Sequence, residues 1–403
     1  MNIYWPIVLL CLPSLVLAQG VFVQKLPIKK PTTLDWKYAT SIDFLKLPSD
    51  SESKSKYQVR KQTYDFFGPR KKPKGELALI LFISPGNVPL EWKQFEPVCR
   101  SRQILFAGAR NVGNAQDPDV RVRAAIEVLG DVRRRYRVDP NRTYIAGFSG
   151  GAIVATRLAF ALPESCGGLL CIGQRLFLPT EPALLDRASE RLSVAAICGS
   201  NELIGPEVEH IEQHFFAANE FRCRAFISRG SGHRMPKPEL ITTAVQWLEH
   251  GLKSRVKRSE TFPATRLNPN KAYDEKQWSL DLVEEAERRW TNDQKLAAIT
   301  LLEWIVQRWP KTDAALRANN KLNVFKPFVA DGAEIKKAQS AREKKSALAI
   351  ANGYDKLAND RRAWFTRERR ANYAKEAIRR FESLADSDSN YAQRIEELSR
   401  IAD

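Results

Sequence analysis

A serine hydroxyl is a poor nucleophile at neutral pH; it attacks a carbonyl carbon only when a base takes its proton and a third group holds that base in one tautomer. Ser149 is the residue of this chain best framed for such help, in the string Gly147-Phe148-Ser149-Gly150-Gly151. A G-x-S-x-G string between a strand and a helix makes a turn so tight that the serine is strained, and larger neighbours would collide with the flanking elements. The flanks meet that condition: residues 143–146 are an apolar run, and residues 152–162 form a long apolar segment without proline. Strand, turn and helix are therefore expected in that order. At the start of such a helix the unpaired N–H groups face a developing oxyanion, and Gly150 would supply one of them.

The base must come from four histidines. His233 ends Gly230-Ser231-Gly232-His233, directly after a candidate strand at 224–228 and ahead of a candidate last helix, where a loop at the C-terminal edge of a sheet would carry it. His250 falls near the end of that helix. His210 and His214 share a helix face from about Pro206 onward. Their intervening Glu212, however, stands one position late for the H-E-x-x-H metal motif, so surface histidines are expected and no metal is assigned. The absence of any C-x-x-C pair argues against structural zinc, and no cofactor is called for. The acid should follow the apolar run 192–198, where Gly199-Ser200-Asn201-Glu202 makes Glu202 the first carboxylate and Glu207 the next, with no Asp in the loop. Serine, acid, histidine is a chain order known for this chemistry.

These residues need a scaffold, and the apolar pattern describes one. Unbroken runs at 77–83, 103–108, 143–146, 169–172, 192–198 and 224–228 suit parallel strands covered on both faces. Between them lies helical spacing: Val122, Ala125, Ile126, Leu129, Val132 and Tyr136 fall on one face, ahead of a break at Val138-Asp139-Pro140. Alternating strand and helix predict an α/β domain with a mostly parallel sheet over 27–252, closed by a helix at 238–250 that Gly251 stops. Upstream, the runs 33–38 and 57–67 read as antiparallel edge strands, 49–56 as a loop and 69–75 as a basic turn. Residues 253–270, with two prolines and no apolar period, read as a linker. From 271 to 403 the chain is rich in Ala, Leu, Glu, Lys and Arg and predicts an all-α domain. Its segments 297–322 and 374–401 resemble tetratricopeptide-like helical hairpins, too loosely to count repeats. Trp290, Trp304 and Trp309 are expected to pack between these helices.

The whole chain bounds the possibilities. Its 403 residues allow two or three domains. A formal charge of +17 is spread along most of the length with no nucleic-acid motif, so solvated basic faces are expected rather than a nucleic-acid interface. Residues 1–18 read as a secretory signal peptide ending in Val16-Leu17-Ala18, although the segment before its apolar core has no Lys or Arg. That core, about eleven residues, is short of the ~20 a bilayer span needs, so a secreted or periplasmic protein without a membrane span after signal removal is expected. Of six cysteines, Cys11 lies in the signal, leaving an odd set of five. Cys166 and Cys171 are close enough in sequence to close a short loop, with the pairing left open. Asn141-Arg142-Thr143 matches a glycosylation acceptor but leads into a core strand and is discounted.

The run Val138-Asp139-Pro140-Asn141-Arg142-Thr143-Tyr144-Ile145-Ala146-Gly147-Phe148-Ser149-Gly150-Gly151-Ala152 resembles the elbow region of secreted α/β-hydrolases of the polyhydroxybutyrate depolymerase and feruloyl esterase group. Gly232-His233-Arg234-Met235-Pro236 is similar to the histidine loop of that group, and the resemblance covers about 77–252. It implies an α/β-hydrolase fold and carboxylic-ester hydrolysis through an acyl-enzyme, with Ser149, Glu202 and His233 at the triad positions. The substrate it implies is an acyl or aromatic ester on polysaccharide, or a polyester. Two positions depart from the group. Glu202 stands where Asp is usual, and the His-Gly oxyanion loop reads Ser84-Pro85-Gly86-Asn87, in which Pro85 has no N–H to donate. Gly150 would give one oxyanion donor and Gly86 or Asn87 the other; a missing second donor would cost about 3 kcal/mol of transition-state stabilisation, a factor of ~10²–10³. Asn111 and Asn114 stand where they could line the pocket, with loop-structural roles expected. A peptidase on the same fold is the alternative, lowered because no propeller-like domain precedes the elbow. A binding scaffold that has lost efficient turnover, its helical tail recruiting a protein partner, is the other.

Overall fold

A computed structural model describes residues 20–34, 57–177, 181–258, 274–329, 333–362, 365–384 and 390–402. The expected signal peptide at 1–18, the loop at 49–56 and most of the run 33–38 lie outside the described residues.

Eight strands form one sheet: β1 (Gly20–Pro27), β2 (Thr63–Pro69), β3 (Leu77–Ile83), β4 (Leu105–Ala109), β5 (Val138–Phe148), β6 (Gly168–Ile172), β7 (Ser193–Gly199) and β8 (Arg222–Ser228). Their spatial order is β1-β2-β4-β3-β5-β6-β7-β8. β2 pairs antiparallel with both of its neighbours, and the other pairings are parallel, so β2 alone runs against the rest. An order and direction of this kind, with helices on both faces, is the α/β-hydrolase fold, as the motifs implied. The central strands are legible because both of their faces are covered: every residue of β6 and β7, and all of β3 but Leu77, is buried.

Helices α1 (Trp92–Arg102), α2 (Pro118–Arg135), α3 (Gly150–Ala161) and α4 (Pro182–Arg191) join the strands. The segment α5, 205–218, follows β7, and α6 (Pro238–His250) follows β8. α1 and α6 bury Phe95, Val98, Ile241 and Leu248 against one face of the sheet. α2, α3, α4 and α5 bury Ile126, Leu129, Leu158, Leu184 and Phe216 against the other. Local chemistry sets the helix starts; Asp117, for instance, accepts the N–H groups of Asp119 and Val120 ahead of Pro118 at the first turn of α2.

Four sequence readings shift. β1 was not expected; four of its eight residues are exposed and none is buried, which leaves it little apolar pattern. The run 57–67 becomes strand only at Thr63, after a short 3₁₀ turn at Val59–Lys61. Val138-Asp139-Pro140, expected as a break, belongs to β5, whose pairing with β3 slips between Leu77 and Leu79. That irregularity accommodates the missing N–H of Pro140. The expected linker begins as helix α7 (Leu252–Arg258), and buried Arg255 donates to Tyr144 Oη at 3.0 Å, Ser193 Oγ at 3.0 Å and the Leu248 carbonyl at 2.8 Å. Residues 259–270 are not among those described. Cys99, Cys166, Cys171, Cys198 and Cys223 are all free thiols, so no short loop is closed between Cys166 and Cys171.

The C-terminal region is helical: α8 (Glu275–Thr291), α9 (Lys295–Arg308), α10 (Asp313–Phe325), α11 (Ala333–Ala358), α12 (Arg367–Glu382) and α13 (Asn390–Ala402). α8 to α10 share a core that includes Ala183 of α4. In that core Trp290 stacks on Phe325 at 4.0 Å, Trp304 meets Trp309 edge-on, and Trp304 Nε1 donates to Glu181 at 2.8 Å. The tryptophans thus pack between helices and onto the α/β unit. α11 to α13 form a second core that takes in Ile211 of α5. Among the described residues no helix is long and apolar enough to cross a membrane.

Candidate active site

Ser149 sits between β5 and α3 with φ +52° and ψ −126°, a conformation a serine rarely holds. Its N–H donates to the Ile172 carbonyl at 2.8 Å, which ties the turn to β6. Two glycines make the turn possible. A methyl group on Gly147 would lie 2.3 Å from the Gly151 carbonyl oxygen, and one on Gly151 would lie 2.1 Å from the Ile83 carbonyl oxygen. The first contact lets the turn close, and the second lets α3 approach β3. Gly150 also leaves a space, and the Asn114 carboxamide fills it: a methyl group there would meet Asn114 Oδ1 at 2.2 Å and Nδ2 at 2.9 Å.

His233 Nε2 lies 2.9 Å from Ser149 Oγ. Its Nδ1 meets the Oε1 oxygen of Glu202 in a short contact. The Phe148 ring stacks on the imidazole with centroids 5.1 Å apart, which fixes the plane of the ring. Glu202 is 7% exposed, against 51% for the His233 side chain, so the carboxylate is held inside while the imidazole reaches the surface. The Gly199 N–H donates to Glu202 Oε2 at 3.0 Å. With a backbone donor on one oxygen and the imidazole on the other, a buried carboxylate is satisfied. The acid and histidine loops also bind each other. Asn201 N–H donates to the Ser231 carbonyl at 2.9 Å, and Gly230 N–H donates to Ser200 Oγ at 2.8 Å. Glu207, the other carboxylate considered, faces Arg175 and Tyr373 instead.

The loop after β3 is stitched to the loop after β4. Gly86 N–H donates to Ser84 Oγ at 3.1 Å, and Ser84 Oγ donates to Glu91 at 2.9 Å. Asn87 accepts from Asn111 N–H through its carbonyl at 2.9 Å and from Gly113 N–H through Oδ1 at 3.1 Å. Asn114 N–H donates to the Pro85 carbonyl at 2.8 Å, which carries the Asn114 side chain to the elbow. Gly150 is the first residue of α3, directly after Ser149. Of the residues expected here, Gly86 therefore has its N–H committed within its own turn, and the Asn114 side chain stands nearer the elbow than its sequence alone implied.

The remaining histidines do other work. His210 Nε2 meets Arg362 Nη2 at 3.2 Å, and burial holds the pKa values of His210 and His214 below the ordinary imidazole range. Among the described residues, no group of three or more His, Cys, Asp or Glu side chains is arranged to hold a metal ion. The neighbouring Glu212 is buried and its carboxyl is pushed up to about 8, although Leu176 N–H donates to it at 2.6 Å. Phe148 and Tyr373 are contacts that spacing along the chain does not signal.

No protein-family model matches the chain, and no curated protein matches it in sequence. Solved structures similar to part of it include Est1E from Butyrivibrio proteoclasticus, with 14% identity over 48% of this chain and 96% of that one, at a TM-score of 0.35. The S-formylglutathione hydrolase of Staphylococcus aureus shows 10% identity over 46% and 92% of the two chains, at 0.37. A Pyrobaculum calidifontis esterase shows 15% identity over 48% and 81%, also at 0.37.

Proposed function

We propose that this chain is an exported serine hydrolase that cleaves carboxylic esters through an acyl-enzyme, with Ser149 as nucleophile, His233 as general base and acid, and Glu202 orienting the imidazole. The observation that carries the reading is the continuous hydrogen-bonded path Ser149 Oγ, His233 Nε2, His233 Nδ1, Glu202 Oε1, running from a half-exposed imidazole to a buried carboxylate. Unprotonated Nε2 takes the hydroxyl proton as Oγ bonds to the ester carbonyl carbon, and the carbonyl electron pair moves onto oxygen. Glu202 keeps the proton on Nδ1 and offsets the charge of the imidazolium. Collapse of the tetrahedral centre breaks the bond to the alcohol, which leaves with the proton from Nε2, and the acyl group remains on Oγ. Water then repeats the sequence, its proton passing to Nε2 and back to Oγ, and a carboxylic acid is released. The Gly150 N–H supplies one oxyanion donor, and the α3 N-terminus adds favourable dipole potential.

The resemblance in the elbow and histidine loop supports an acyl or aromatic ester, polysaccharide-linked or polyester, as substrate, and the composition of residues 1–18 supports export. A fluorophosphonate probe is expected to label the folded wild type and to leave Ser149→Ala unlabelled. p-Nitrophenyl acyl esters are expected to turn over faster than peptide anilides. Folded wild type that takes no label sinks the reading.

A further inference from the structure

The acid loop is held from outside the α/β unit. Leu203, next to Glu202, has a side chain that is 71% exposed, so packing does not fix it. Its carbonyl instead accepts from Arg369 Nη2 of α12 at 3.1 Å. Arg369 Nε reaches Tyr373 Oη at 3.2 Å, and Tyr373 in turn donates to Glu207 Oε1 at 3.0 Å, at the start of α5. The guanidinium lies over the rings of Phe365 and Tyr373, which limits its freedom before it bonds. Further along α5, residues Val208–Glu212 form a π turn, a widened stretch that exposes backbone to close approach. Gly353 of α11 meets it there, so closely that a methyl group would lie 2.6 Å from the His210 carbonyl oxygen. Ile211 from the same turn is buried in the core of α11 to α13. Arg362 donates to Glu209 at 3.1 Å, and at the far end of α5 Asn219 Nδ2 donates to Ser346 Oγ at 3.0 Å. The C-terminal helices thus grip α5 along its length and reach the residue beside the carboxylate.

We infer that α11 and α12 are a positioning device for Glu202, with Arg369 and Tyr373 as positioning residues; the inference rests on the esterase reading given above. Their bonds reach the Leu203 carbonyl and Glu207. Their effect passes through the backbone of the loop 199–205, which carries Glu202 and is closed by bonds from Glu202 N–H to the Gly199 carbonyl at 3.2 Å and from Gly205 N–H to the Glu202 carbonyl at 3.1 Å. A glutamate, with one more rotatable bond than aspartate, has more freedom to lose its imidazole, and an outside brace on its loop limits that freedom.

The test uses the full chain with Arg369→Ala/Tyr373→Phe, checked for an unchanged unfolding midpoint, and the milder Arg369→Lys should the first variant not fold. Amide hydrogen exchange at Glu202 and Gly205 is expected to speed up. With a p-nitrophenyl ester, kcat is expected to fall roughly 10–10²-fold at unchanged KM. In a Glu202→Gln background the same changes should have no further effect on kcat. Unchanged exchange overturns the inference, as does an equal loss in the Glu202→Gln background. Wild type that takes no fluorophosphonate label overturns the esterase reading instead, and exchange in the loop still decides whether the helices hold it.

Discussion

At Gly150 the absence of a side chain makes room for a neighbour. This residue opens α3 directly after the elbow serine, and the space above it holds the Asn114 carboxamide. The Gly86 N–H is donated to Ser84 Oγ, and the Asn114 carboxamide brings a side-chain donor, Nδ2, beside Gly150. Asn114→Ala is therefore expected to lower kcat by ~10²-fold with little change in KM, since a donor to the oxyanion acts only in the transition state. Steady-state kinetics on a p-nitrophenyl ester, with Asn114→Asp as the isosteric control that cannot donate, check it; full activity in Asn114→Ala would return the role to the backbone of the β3 loop. Ser149 and His233 were legible because glycine-rich strings force loops where side chains emerge at a sheet edge. Glu202 was legible by position, as the first carboxylate after β7. Asn114 was legible only as a pocket or loop residue, because its place against Gly150, 36 residues on, comes from the stitching of two loops.

Among the elements, the approach of α3 to β3 sets how the nucleophile is presented. Gly151→Ala would drive a methyl group into the Ile83 carbonyl oxygen, 2.1 Å away, and neither partner is a flexible side chain that can swing aside. The helix must shift instead, at a cost of about 1–3 kcal/mol. A lower urea midpoint and slower fluorophosphonate labelling are the expected measurements; an unchanged midpoint would show that α3 moves freely. The same elements explain what pattern reading captured. Strands β3, β6 and β7 are buried on both faces and announce themselves as apolar runs, whereas β1 is exposed enough to lose its alternation. Pro140 looked like punctuation, yet β5 keeps it by slipping register against β3. The helices of the C-terminal region were plain from composition. That they clasp α5 was not, because Gly353 reads as an ordinary weak spot in a helix until its neighbour is known.

For the whole molecule, α5 joins the two regions and carries titratable groups of opposing sense. Burial, helped by the nearby Glu207, pushes the Glu212 carboxyl up to about 8 against a favourable bond from Leu176 N–H and a nearby Arg175. A carboxyl whose folded pKa is raised contributes stability that is fully present below its unfolded value and is lost as pH rises through the folded one. His210 and His214 have the opposite sense: burial lowers their pKa values, so their contribution is lost as pH falls below the unfolded imidazole range. Below about pH 6.5 the two effects oppose each other, and between about 6.5 and 8 Glu212 acts alone of these three groups, with a slope near ~1.4 kcal/mol per pH unit at most. Glu212→Gln keeps an acceptor for Leu176 and removes the titration. Its stability, measured by thermal unfolding, is expected to gain on that of the wild type steadily from pH 6.5 to 8 and to run parallel to it above about 8.5. Parallel curves throughout would mean that Glu212 is ionised in the folded protein, its charge met by Arg175 and the Leu176 N–H; a growing gap would show that burial of Glu212 on α5 makes stability depend on pH in this range.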